Sequence, residues 1–180
     1  NLTQIAKALS LSKATCTRAI NDLSASGLIS QTAEGTNKWI TTAYTKSELL
    51  EKAYGRLKTP VDRILYVKGT AQIEHPIASG IRALARQSMI GVNDQDGAIA
   101  ISKKEAAKIP AEDICTKQYF EDFGGAVIEV WSYDPIILER DGCVDDISLL
   151  LSMDNDPNER VQTCLDEIRQ KHGLPIKEEE

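Results

Sequence analysis

The sequence predicts a mixed α/β (α+β) protein in two parts, and three observations carry that expectation. Over the first 29 positions apolar residues recur at helical spacing, whereas two clear runs of strand composition, RILYV at 63–67 and AVIEVWSY at 126–133, come later. Charge divides along the same line. Residues 1–68 hold ten Lys and Arg against five Asp and Glu, a net of +5, and the remainder holds eleven against 22, a net of −11. The overall charge of −6 therefore hides a front half that can approach phosphate and a back half that repels it. Finally, 180 residues at 42% hydrophobic and 27% charged can bury a core in one large domain or two small ones. The expected division is 1–45, a connecting helix over 46–59, a small α/β domain over 60–173 and an acidic tail over 174–180.

Taking the elements in order, Ile5, Ala6 and Leu9 place one apolar face on a helix over Thr3 to Ser10. Ser12 is a good N-cap for a second helix, and Leu11 before it can staple onto Cys16; the capping box is incomplete, because Thr15 stands where Glu or Gln would. Cys16, Ile20 and Leu23 then repeat on the inner side, leaving Lys13, Thr15, Thr17, Arg18 and Asn21 on a polar, basic outer face. Gly27 suits the left-handed position that ends such a helix. After it, Leu28 to Thr32, the polar tip Ala33 to Asn37, and Lys38 to Thr42 read as a hairpin. The expected front is thus a winged helix-turn-helix, followed by the small α/β domain.

The stretch LSKATCTRAINDLSASGLI with its hairpin resembles the winged helix of the multiple-antibiotic-resistance regulator (MarR) class of bacterial repressors, over about residues 1–45. It departs from that class in having no helix before the motif, which suggests that Asn1 is not the native start, and in carrying Glu34 at the wing tip where arginines are common. The resemblance implies binding of duplex DNA through Ser12, Lys13, Thr15, Thr17, Arg18 and Asn21 of the second helix and Thr36, Asn37 and Lys38 of the wing. The residue types fit that task, since a recognition helix needs small or hydrogen-bonding side chains near its N-terminus and cations nearby. Lys13 and Arg18 lie about 140° apart around the helix, so they divide between phosphate and base edge. The competing reading of Arg18 is an exposed salt bridge to Asp22 four residues on.

Beyond the hairpin, Leu49, Leu50, Ala53 and Leu57 give a connecting helix over Lys46 to Leu57, ended by Thr59-Pro60. A strand over Arg63 to Val67 follows, then a helix from Pro76 to about Ile90 with Ile77, Ile81, Leu84 and Met89 inside. Ala98 to Ile101 is a short strand, Ser102 caps a helix over Lys103 to Lys108, and Ala126 to Tyr133 is the clearest strand. Two helices close the chain: Val144 to Met153, and one opening at Asp156-Pro157 with Glu159 completing a capping box and running to Gly173. In this half PIASGIRALARQSMI, AIAISKKEAAKI and EVWSYDPIILERDGCVDDISLLLSM look like a C-terminal domain of bacterial winged-helix proteins, and more distantly resemble antitoxins of the AbiEi type. That resemblance covers about residues 60–171 and implies a regulator or antitoxin without a defined reaction.

Four constellations bear on chemistry. Val92 to Lys103 carries part of an EF-hand pattern at Asp94, Asp96 and Gly97, but Val92 and Lys103 occupy the first and last ligand positions, so a polar turn is expected. The same Asp94-x-Asp96 pair suits a nucleotidyltransferase metal site, which also needs a Gly-Ser turn; only a reversed Ser79-Gly80 is present, inside the expected helix. Asp141, Asp145 and Asp146 are read as helix capping, and His75 and His172 stand in no metal or nucleophile pattern. Trp131, Tyr133 and Tyr119 are read as core rather than ligand pocket.

Cys16, Cys115, Cys143 and Cys164 form no C-x-x-C and are read as reduced and buried in a cytoplasmic protein. No apolar run of about 18 residues and no basic-then-apolar leader is present, so no membrane span is expected. The expectation is a sequence-specific duplex-DNA-binding regulator, a repressor rather than an enzyme, needing no cofactor. It would act as a homodimer, with room for a cognate partner protein or effector. The alternatives are a nucleotidyltransferase-like domain tethered to a winged helix, and a protein-contact adaptor.

Overall fold

The computed structural model describes residues 1–35, 37–69, 73–91 and 97–176, the side chains of Glu34 and Asn37 excepted. Its elements, in chain order, are α1 (Leu2–Ala8), α2 (Lys13–Ala25), β1 (Ser30–Glu34), β2 (Asn37–Thr41), α3 (Lys46–Tyr54), β3 (Val61–Val67), β4 (Ile77–Ala78), α4 (Gly80–Ala85), β5 (Ala98–Ser102), α5 (Lys103–Ala106), β6 (Ile114–Cys115), α6 (Lys117–Phe123), β7 (Ala126–Trp131), α7 (Asp146–Met153) and α8 (Glu159–Lys171). This is an α+β fold. It falls into two compact units, Asn1–Leu57 with His172–Pro175, and Lys58–Lys171 with the chain end. Among the described residues no helix is long and apolar enough to cross a membrane.

In the first unit, α1 and α2 end by the same device. Gly27, at φ +72, lets its N–H reach Ser24 O and that of Leu28 reach Leu23 O. Ser10, at φ +51, does the same after α1, its N–H reaching Lys7 O while that of Leu11 reaches Ala6 O. Both satisfy helix carbonyls that otherwise have no partner. The hairpin β1–β2 is antiparallel, from Ser30 opposite Thr41 to Glu34 opposite Asn37. Thr42 closes its base by donating to Leu28 O at 2.9 Å. The connecting helix ends at Tyr54 rather than Leu57, with Gly55 as its C-cap, and starts at a full capping box of Thr45 with Glu48.

The second unit is built on a five-stranded sheet of order β4-β5-β7-β3-β6. β5 runs parallel to β7 and the other pairs are antiparallel. Register puts Ile99, Ile101, Ile128 and Val130 on one face, and Ala98, Ala100, Ser102, Val127, Glu129 and Trp131 on the other. The first face buries Val67, Ile101, Ala106, Ile128 and Val130, with Leu65, Ile73 and Ile109 packed against them. β5 and β7, in the middle of the sheet, are thus buried on both sides, whereas β3 is not: the run at 63–67 is exposed over Arg63 and Ile64, the latter 51% exposed, and is buried only at Val67.

Four expectations need correction. The helix from Pro76 to Ile90 is instead the strand β4 followed by α4. Ile77 and Ala78 pair with Ala100 and Ile99, the Ser79 N–H goes to Ala98 O, and Ala78 bonds Gly142 and Val144 on its other side, so the helix starts only at Gly80. Ser79-Gly80 is therefore a strand-to-helix turn, not the middle of a helix. At α8 the D-x-x-E box gives way to Asn158, whose Oδ1 accepts from Arg160 N at 3.0 Å, and the helix begins at Glu159 and ends at Lys171. Strand β6 and helix α6 were not foreseen. Tyr119, read as core, is 38% exposed and stacks on Phe123 at 4.8 Å.

Around Trp131, which is 1% exposed, Tyr133 packs edge-on at 5.4 Å and shares its hydroxyl with Ser148. Burial pushes the Tyr133 hydroxyl above its usual pKa of 10.0, the Asp145 carboxylate adds to this, and the Ser148 hydrogen bond opposes it. A raised folded-state pKa stabilises the fold below the unfolded value and loses that contribution as pH rises through the folded one. Tyr133→Phe should therefore flatten the loss of stability above about pH 10, read by urea titration at pH 8 and 11. An equal alkaline loss in both proteins would contradict this.

Gly125 sits at φ +147 where an added Cβ would lie 2.1 Å from Val67 O. Gly125→Ala should cost about 3 kcal/mol, lowering Tm by about 6–12 °C. A calorimetric Tm within about a degree of the parent would refute the close approach.

Candidate nucleic-acid interface

Helix α2 opens at Ser12, whose Oγ accepts from Thr15 N at 3.1 Å and meets Thr15 Oγ1 at 2.9 Å. A threonine thus partly fills the place of the missing Glu or Gln. Cys16 and Ile20 are 3% and 7% exposed and anchor the helix, while Leu23 on the same side is 37% exposed and marks the margin of the buried stripe. Every residue assigned to the outer face, Ser12, Lys13, Thr15, Thr17, Arg18 and Asn21, is exposed. At about 100° per residue Arg18 stands near the centre of that face, with Thr15 about 60° to one side and Asn21 about 60° to the other. Thr17 and Lys13 continue beyond Asn21.

These side chains differ in freedom. Thr17 Oγ1 donates to Lys13 O at 2.8 Å, so its hydroxyl turns back onto its own helix and keeps only acceptor capacity outward. Asn21 Oδ1 receives Gln31 Nε2 at 3.4 Å, and the same nitrogen reaches Ser24 Oγ at 2.9 Å. Gln31, on β1, was not singled out from sequence; it ties the hairpin to α2. Nothing in the spacing could single it out, because Gln31, Thr32 and Ala33 are all exposed and carry no alternation.

Lys38 lies on β2 and lines a small cleft of about 80 Å³ together with Thr17, Ile20, Asn21 and Gln31. The structure therefore brings Lys38 to the Thr17–Asn21 side of α2 instead of leaving it apart on the wing. Thr36 lies outside the described residues, and of Asn37 only the backbone is described, paired with Glu34. Among the described residues no ion pair joins Arg18 to Asp22. Arg18 is exposed, and among the described residues its guanidinium has no hydrogen-bond partner. Asn1–Leu57 holds seven Lys and Arg against four Asp and Glu, a net of +3.

Elsewhere, Asp145 caps α7, accepting from Ile147 N and Ser148 N at 3.2 and 3.1 Å, and Asp146 pairs with Lys171 at 2.8 Å. Asp141 is in a turn at φ +52, and His75 is exposed. Asp94 and Asp96 lie outside the described residues, and with them both the EF-hand and the nucleotidyltransferase patterns. Among the described residues no group of three or more His, Cys, Asp and Glu is placed to hold a metal ion. Cys16 and Cys143 are buried, Cys115 and Cys164 half-buried, and all four are free thiols. No family model, no curated protein and no solved structure matches this chain.

Proposed function

We propose that the first unit binds duplex DNA in a sequence-specific manner and that the protein is a cytoplasmic transcriptional regulator, a repressor rather than an enzyme. The observation that carries this reading is the outer face of α2: a central, exposed Arg18 with no ion pair among the described residues, flanked by Thr15 and Asn21, with Lys38 of the hairpin on one side. A guanidinium in that position can bind guanine O6 and N7 as a pair, and the lysines can meet phosphate. The MarR-like pattern of the sequence points the same way. Selection of bound sequences from a random duplex pool with the full chain tests the reading; recovery of no motif would sink it.

A second reading, a protein-contact adaptor, is favoured by Trp39, Leu9, Leu11 and Leu23, which are 42%, 37%, 36% and 37% exposed. Scattered exposure of this size is ordinary on a protein surface, and the cationic α2 face has no role in the adaptor reading, so the DNA reading is preferred.

The reading includes a homodimer formed through the second unit. A lone module of this kind covers one half-site, whereas a two-fold pair covers two, about 34 Å apart. The exposed rings of Tyr119 and Phe123, the latter 74% exposed, support an association surface there. Sedimentation at micromolar concentration should give a dimer with or without DNA, and a monomer in both states would remove this part.

Arg18→Ala should cost about 1–3 kcal/mol on the selected site and relax discrimination at one or two base positions. Lys38→Ala should weaken selected and scrambled duplexes alike and reduce the salt slope by about one. Binding isotherms on both duplexes decide the matter, and unchanged affinity of Arg18→Ala on the selected site would remove Arg18 from the interface.

A further inference from the structure

The second unit carries a feature that the DNA reading does not use. A cavity of about 750 Å³ opens against the face of the sheet that bears Val127 and Glu129, walled by α4 and the end of α7. Glu129 is 9% exposed, and both of its donors, Ser79 Oγ and Trp131 Nε1 (3.0 Å), bond the same oxygen, Oε2. Among the described residues no donor reaches Oε1. Gly80, at φ +54, stands beside that oxygen, and a Cβ there would make ordinary van der Waals contact with it at 3.7 Å. Most of this carboxylate is removed from water, and its second oxygen can accept from a donor that enters the cavity.

The rest of the lining specifies the donor. Among the described residues Glu129, Asp154 and Asp156 are its charged ones, and none is Lys, Arg or His. Asp154 is partly neutralised by Arg169 at 2.8 Å, and Asp156 Oδ1 accepts from Asn158 N at 2.9 Å, which leaves Glu129 as the charge on the sheet side. Ile81, Phe120, Val127 and Met153 supply apolar wall. Such a cavity, with an apolar wall and a few polar and acidic groups, has the form of a small-molecule site. Among the described residues these carboxylates do not come together in a group that could hold a metal ion.

We propose that this cavity binds a small organic cation, a primary amine on an apolar body, whose ammonium donates to Glu129 Oε1 while its body packs against Ile81 and Phe120. The inference concerns the second unit alone and stands or falls separately from DNA binding.

The test is an amide NMR titration of the full chain with benzylamine and, as its uncharged counterpart, benzyl alcohol. Benzylamine should bind saturably, at least about tenfold more tightly than the alcohol, with shifts at Gly80, Ile81, Glu129 and Asp154. Glu129→Gln, which keeps the shape and removes the charge, should lose at least about tenfold in affinity. Should that variant fail to fold, Ser152→Lys decides: it leaves Glu129 in place, sets a competing cation in the cavity wall, and should weaken benzylamine to a similar degree. Equal affinity for amine and alcohol, shifts that do not saturate or that map elsewhere, or undiminished binding to a natively folded Ser152→Lys would each overturn the proposal.

Discussion

A carboxylate in the middle of a sheet must find its donors inside the protein, and where Glu129 finds them shapes the second unit. One donor is the indole of Trp131, two residues along the same strand; the other is Ser79, fifty residues earlier in the chain. For Ser79 to arrive, the segment before it must run alongside β5, and Ile77–Ala78 does so as β4. The turn into α4 then needs a left-handed residue, and Gly80, at φ +54, supplies it. The sheet edge and the turn thus go together with satisfying one buried charge. A second buried charge works differently. Arg169, 1% exposed, reaches Asp154 at 2.8 Å and Asp166 at 2.6 Å, and so fixes α8 against the end of α7.

The first unit rests on helix ends rather than on buried charge. α1 and α2 are short, and helices of seven and thirteen residues are marginal unless their termini are satisfied. Asn1 and Ser12 cap the starts, and the left-handed residues Ser10 and Gly27 close the ends. The caps and the stripe of Cys16 and Ile20 hold α2, and among the described residues its Arg18 side chain makes no bond. Ser12, Thr15, Thr17 and Asn21 of the outer face are each tied to the unit's own atoms.

Much of this was legible in the sequence wherever the signal was local. Ser12 before an apolar repeat, Gly27 after it, Ser102 three residues ahead of Glu105, and the runs at 63–67 and 126–131 all mark what the structure contains. The segment 76–90 was not legible, because Ile77, Ile81 and Leu84 satisfy helical spacing equally well when only the last two are on a helix. A two-residue strand has no period to detect; partners on both sides, remote in sequence, decide it. The candidate interface divides in the same manner. Exposure of Lys13, Thr15, Arg18 and Asn21 followed from periodicity, whereas the approach of Lys38 to Asn21 and the role of Gln31 depend on how the hairpin lies against α2. The half-satisfied Glu129 had no signal at all, since an acidic residue in a β-rich run shows neither its burial nor its donors.

Charge divides between the two units, with cations displayed on the first and an acidic second unit built around a buried carboxylate, and the function proposed for the chain follows that division. The claim on which this account depends is that the face of α2 meets phosphate. Its most direct measurement is the affinity of the full chain for a fixed duplex over a salt series. The account predicts that log K falls linearly with log salt at a slope of about −2 or steeper, from release of counterions by Lys13, Lys38 and their neighbours. A slope near zero, or no retention on the duplex at about 50 mM salt, would contradict it.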